Sequence, residues 1–113
     1  DGSGLSPYNL VSAELEVRFL RYAFLNNNVF MHLQPALPKA GIDGTLRLRM
    51  HGTFTQGNVI AKTGTLTGVS SLAGYCTAAN GHRLAFAIIN QGLIHRSNGR
   101  AFQDRVCTVL CQP

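Results

Sequence analysis

Apolar and polar positions follow two different periods along this chain, and the change falls near Asn58. Upstream of it the spacing is helical. Leu15, Phe19, Tyr22 and Leu25 recur at intervals that place them on one face, with Arg18 and Arg21 off it, which predicts a helix from Ala13 to about Leu25 packed through that stripe. Ser12 stands where an N-cap belongs, and Glu14 and Glu16 occupy the first turn, where the helix dipole favours carboxylates. The run Asn26 to Asn28 ends the helix. "VFMHLQPALPKAG" is apolar but broken by Pro35 and Pro38, so a short helix or turn-rich piece is expected before Gly41. Asp43 is placed to cap a further short helix over Thr45 to His51, although the alternation of "TLRLRMH" also fits a strand.

From Asn58 the period becomes that of β-structure. Val59 to Thr65, Gly68 to Thr77 and Arg83 to Asn90 are strand candidates, the last two joined by a turn at Asn80-Gly81. A final helix is expected from about Asn98 to Leu110, with Phe102, Val106, Val109 and Leu110 on its apolar stripe. The predicted class is α+β: a three-stranded antiparallel meander with flanking helices. There are no internal repeats and no low-complexity tract.

Composition changes this picture in three ways. The 113 residues suffice for one compact core and not for two. Hydrophobic residues make up 45% and charged residues 13%, which excludes disorder and suggests apolar faces covered by a partner or by the rest of a longer protein. The chain begins at Asp1 without an initiator Met, a leader or a run able to span a membrane, so any export signal is expected upstream. The net charge of +5 comes from arginines scattered along the chain, with no run and no interleaved aromatic pair, so nucleic acid is not expected as a partner. Cys76, Cys107 and Cys111 form no CxxC pair; the last two are four apart, share a helix face and read as small buried hydrophobes. His32, His51, His82 and His95 have no metal-ligand spacing, and neither metal nor cofactor is expected.

Candidate chemistry centres on "NVIAKTGTLTGVSSLAGYCTA", where Lys62 interrupts an apolar and hydroxyl-rich run. A buried ammonium without a partner is costly, so Lys62 must either face water or point into a site that uses its charge. Lys-Thr-Gly alone is weak, arising by chance in about one chain of this length in thirty or forty. Its setting is more specific. "DGSGLS", "AGIDGTL" and "AKTGTLTGVSSLAGY", in this order and over essentially all 113 residues, resemble the C-terminal part of the D-alanyl-D-alanine carboxypeptidase and endopeptidase family, the low-molecular-mass class C penicillin-binding proteins.

That resemblance implies a β-lactamase/transpeptidase-like fold of which residues 1–113 are the C-terminal part, in a periplasmic or otherwise extracytoplasmic protein. It implies a peptidoglycan stem peptide ending in D-Ala-D-Ala as substrate, lying along an edge strand, and β-lactams as ligands of the full-length protein. Lys62 would supply charge to the substrate carboxylate and help proton traffic, and Thr63 would donate a hydroxyl bond to the same carboxylate. Gly64 would let the substrate backbone approach, and the Thr65 N–H would be an oxyanion-hole donor. Ser3 and Leu5 of "DGSGLS" would line the site. Pro7 stands where relatives carry Arg, which puts any contact by that Arg in doubt. Because strand residues alternate, Lys62 and Thr63 can serve one cleft only on an edge or a twisted strand.

The family's nucleophile, the serine of Ser-x-x-Lys, is missing, as is Ser-x-Asn. None of Ser3, Ser6, Ser12, Ser70, Ser71 and Ser97 has Lys three positions on. The chain is therefore expected to be inactive alone, to need the missing N-terminal part as its partner, and to expose a sheet edge and an apolar face through which it could dimerise. The competing readings are a non-catalytic cell-wall peptide-binding module and a structural domain in which Lys62 is a plain exposed residue. A class A β-lactamase fits the flanking segments poorly.

Overall fold

The computed structural model describes residues 12–66, 69–91 and 96–112. Two α-helices, α1 (Ala13–Leu25) and α2 (Asn27–Leu33), precede two single 3-10 turns, Gln34–Ala36 and Gly44–Leu46. Strands β1 (Ile60–Leu66), β2 (Val69–Thr77) and β3 (Arg83–Gln91) follow, and α3 (Arg96–Cys111) comes last. The strands form one antiparallel sheet in the order β1-β2-β3, the meander that the period change predicts.

Ser12 caps α1 as its position suggests, its Oγ accepting from the Leu15 N–H at 3.1 Å. Asn26 serves two helices. Its N–H closes α1 on the Ala23 carbonyl, and its side chain accepts from the Val29 N–H to open α2, so Asn27 and Asn28 begin a helix rather than a loop. The segment 45–51 is neither helix nor strand beyond the Gly44–Leu46 turn. Asp43 does not cap that turn through its side chain; the carboxylate instead accepts the Lys39 N–H at 2.7 Å.

Each sheet face carries its own core, as two-residue alternation requires. On one face Ile60 and Tyr75 meet Leu20 of α1 and Leu37, with Phe30, Leu33, Ala73 and Ala85 around them. The Tyr75 hydroxyl donates to the Leu20 carbonyl at 2.6 Å, pinning the middle of α1 to β2. On the other face Ala61, Leu72, Cys76 and Phe86 pack with Cys107 and Cys111 of α3, and Leu46, Met50 and Val59 complete the cluster.

The helix faces differ from those their apolar stripes suggest. On α1 the buried residues are Leu20 and Ala23, while Leu15, Phe19, Tyr22 and Leu25 are 54–72% exposed. On α3 the buried residues include Gln103, Cys107 and Cys111, while Phe102 and Val109 are exposed. Both helices are apolar on more than one side, so the stripe with the largest side chains is not the one that faces the sheet.

Gly74 fixes the distance between β1 and β2. A Cβ there would lie 2.0 Å from the Ile60 carbonyl oxygen and 2.5 Å from the Ala61 Cα, both backbone atoms that cannot move aside. Gly74→Ala should therefore cost about 3 kcal/mol or more, read as loss of soluble expression or a large drop in thermal midpoint. The three thiols are free and buried in one cluster, and burial is the main force pushing Cys76 and Cys107 each up to about 12. Ellman's reagent should find no reactive thiol in the native protein at pH 8 and three after denaturation.

Candidate active site

Strand β1 is paired on one side by β2, and among the described residues its outer side is paired only at the start. There the segment before the 3-10 turn runs antiparallel to it: the Ala40 N–H donates to the Val59 carbonyl, the Ala61 N–H donates to the Pro38 carbonyl, both at 2.9 Å, and Lys39 bridges Ile60. Since the Ala61 N–H points outward, the two-residue repeat turns the N–H groups of Thr63 and Thr65 to the same side. Among the described residues no strand pairs with that edge past Ala61. Open donors and acceptors on an edge strand are a template for one more extended chain.

The triplet straddles this edge. Lys62 lies opposite Ala73 on the α1 face, Thr63 lies opposite Leu72 on the α3 face, and the strand's edge position brings both beside the outer side. The exposed Lys62 side chain lines an apolar groove of about 470 Å³ with Leu15, Glu16, Phe19, Leu33 and Leu37. Its ammonium is the only cation among the described residues that line the groove. On the opposite face the Thr63 hydroxyl donates to the Thr45 hydroxyl at 3.1 Å.

Thr45 is a residue that spacing alone does not reveal, lying 18 positions from its partner. The turn that delivers it depends on Gly44, whose φ of +57° falls in the left-handed region, with Pro38 close against the space a Cβ would fill. "AGIDGTL" is thus the support of the Lys-Thr-Gly strand: its start covers the strand's edge and its end holds the threonine. A Cβ on Gly64 would lie 2.7 Å from the Ser71 Oγ on the paired strand, so a side chain there would require that hydroxyl to rotate away. Thr65 pairs with Ser70 across β1 and β2. Ser3 and Leu5 lie outside the described residues. Among the described residues no group of three His, Cys, Asp or Glu side chains could hold a metal ion.

Burial raises the pKa of Glu16, in the groove wall, above its ordinary value. A carboxyl whose folded pKa exceeds its unfolded one favours the folded state when protonated, so stability falls as pH rises from the unfolded value through the folded one. Glu16→Gln should flatten that part of the profile, read as thermal midpoints between about pH 4 and 7.

Comparison with known proteins finds both sequence and structural matches. Residues 1–112 match the model of the D-Ala-D-Ala carboxypeptidase 3 (S13) family. The chain is 44% identical over 88 residues to the D-alanyl-D-alanine carboxypeptidase DacB of Haemophilus influenzae, covering 76% of this chain and 18% of that protein. It is 45% identical over 97 residues to a D-alanyl-D-alanine carboxypeptidase of an Actinomadura species, covering 81% of this chain and 18% of that one. The chain thus spans about a fifth of the length of these relatives. Among solved structures, penicillin binding protein 4 (dacB) from Haemophilus influenzae, crystallised with a β-lactam, superposes with a TM-score of 0.83 at 35% identity, over 100% of this chain and 28% of that one.

Proposed function

Because the chain belongs to the D-Ala-D-Ala carboxypeptidase 3 (S13) family, we propose that residues 1–113 are the C-terminal part of a penicillin-binding domain and supply its substrate-side strand. The parent protein is a serine-type carboxypeptidase or endopeptidase of peptidoglycan stem peptides ending in D-Ala-D-Ala, acting outside the cytoplasm and acylated by β-lactams. The observation that carries this reading is the outward row of N–H groups at Thr63 and Thr65 on an edge that no strand among the described residues pairs, with Lys62 beside it.

On that edge the peptide lies as an added strand, its backbone bonded to the free groups of β1. The Lys62 ammonium attracts the terminal carboxylate from one face and the Thr63 hydroxyl reaches it from the other. Thr45 accepts the Thr63 proton in the structure and so holds that hydroxyl in place until substrate competes for it. Attack on the penultimate carbonyl puts negative charge on its oxygen, and the Thr65 N–H is one of the donors that stabilises it. Loss of such a donor typically costs about 3 kcal/mol in the transition state. Gly64 leaves the strand without a side chain at the crossing point, and Ser3 and Leu5 contribute from "DGSGLS".

The attacking hydroxyl must come from polypeptide outside these residues, since no Ser-x-x-Lys occurs among them. The exposed stripe Leu15, Phe19, Tyr22 and Leu25 and the apolar groove below Lys62 are the surface that polypeptide would cover. Without it, a second copy of the chain would find the same surface.

Incubation with a fluorescent penicillin tests the reading. The complete parent should be labelled covalently, the 113-residue chain should not, and Lys62→Ala in the parent should slow labelling at least about 100-fold. Labelling of the isolated chain, or full-rate labelling of the Lys62→Ala parent, would overturn it. An unlabelled but peptide-binding parent would indicate the non-catalytic cell-wall module instead.

A further inference from the structure

Gln103 is a polar side chain in an apolar place: it is 0% exposed, on the sheet-facing side of α3. Its amide is nonetheless fully used. Nε2 donates to the Ser70 Oγ and to the Asn90 Oδ1, both at 3.1 Å, and Oε1 accepts from the Arg49 guanidinium at 3.1 Å. Arg49 can only donate, which fixes the orientation of the amide. Arg49 is itself held by the Asp104 carboxylate, at 3.1 Å from Nε and 2.6 Å from NH2, and donates to the Arg100 carbonyl at 3.3 Å. The amide therefore gathers β2, β3, α3 and the loop that follows the Gly44–Leu46 turn.

The place it gathers them is specific. Ser70 is the partner of Thr65 on one side and of Asn90 on the other, so Thr65, Ser70 and Asn90 form one row across the sheet. Past Ala61, β1 has no strand partner on its outer side among the described residues, and apart from the Thr63–Thr45 hydroxyl bond its described support there is β2. At the row of Thr65, β2 is held from beneath by Gln103. The far end of the sheet has a separate clamp, where the Asn58 side chain exchanges two bonds with the Thr77 backbone at 2.7 and 2.8 Å.

We propose that Gln103 is a positioning residue for the oxyanion site: by bonding Ser70 and Asn90 it sets where the Thr65 N–H points, without touching substrate. This rests on the functional reading above, in which that N–H meets the reacting carbonyl. Preorganised donors lose much of their effect when displaced by a fraction of an ångström, so a group beneath the sheet can govern a step at its edge.

The test uses the complete parent and a fluorescent penicillin, resolving reversible binding from the acylation step by stopped flow, with the infrared band of the acyl-enzyme ester carbonyl as a direct report of its hydrogen bonding. In Gln103→Leu the acylation rate constant should fall about tenfold or more with the binding constant changed less than about twofold, and the carbonyl band should move to higher wavenumber. Asn58→Ala should lower the melting temperature while leaving rate constant and band in place. Should Gln103→Leu fail to fold, Ser70→Ala, which removes one of the two Nε2 bonds, should show a smaller fall in rate with a shift of the same sign. An unmoved band and rate constant in the variant that folds, or an equal fall in Asn58→Ala, would overturn the proposal. Absence of acylation in the unsubstituted parent would overturn the functional reading as well, whereas normal acylation there with an insensitive variant overturns the role of Gln103 alone.

Discussion

The half-covered edge of β1 is the constraint from which the site follows. Pro38 to Ala40 pairs with the strand as far as Ala61 and then turns away through Gly44, so that among the described residues the next ones pair with a strand on one side only. A sheet edge left open invites pairing with any extended chain, and proteins commonly blunt such edges with charge. Here the charge is Lys62, and the same residue that discourages an apolar strand would attract an anionic peptide terminus. Coverage of the first half gives the strand a fixed starting point.

The sheet is supported from both sides by different means. On the α1 face it is apolar packing, with Tyr75 tying its hydroxyl into the helix backbone at Leu20. On the α3 face, at the row of Ser70, it is a polar network built on Gln103 and the partly buried Arg49–Asp104 pair. A buried amide with every bond made is directional in a way that apolar contacts are not. That difference suits the two faces: one holds a helix against the sheet, the other joins β2 and β3 to α3 at a single row.

The apolar surface left on α1 belongs with this arrangement. Leu15 and Phe19 line the groove into which Lys62 projects, and Tyr22 and Leu25 continue the same stripe beyond it. The chain corresponds to about a fifth of the length of its carboxypeptidase relatives, and its charged residues are few. A helix that is apolar on two sides suits a position between the sheet and a further layer.

Local pattern was enough for the first helix, the three strands, the last helix, the antiparallel pairing, the Ser12 cap and the Lys-Thr-Gly edge, because each rests on neighbours a few residues apart: a cap bonds three positions on, and a strand alternates every second residue. The family likeness was equally legible, carried by "DGSGLS", "AGIDGTL" and "AKTGTLTGVSSLAGY". Tertiary structure alone decided which face of α1 and α3 is buried, since two apolar stripes compete on each helix and only the sheet chooses. It alone joined Thr63 to Thr45, set Ser71 against Gly64 and drew Arg49, Ser70, Asn90 and Gln103 together. Contacts between residues far apart in the chain depend on how the strands are spaced and paired, and no period in the sequence encodes that distance.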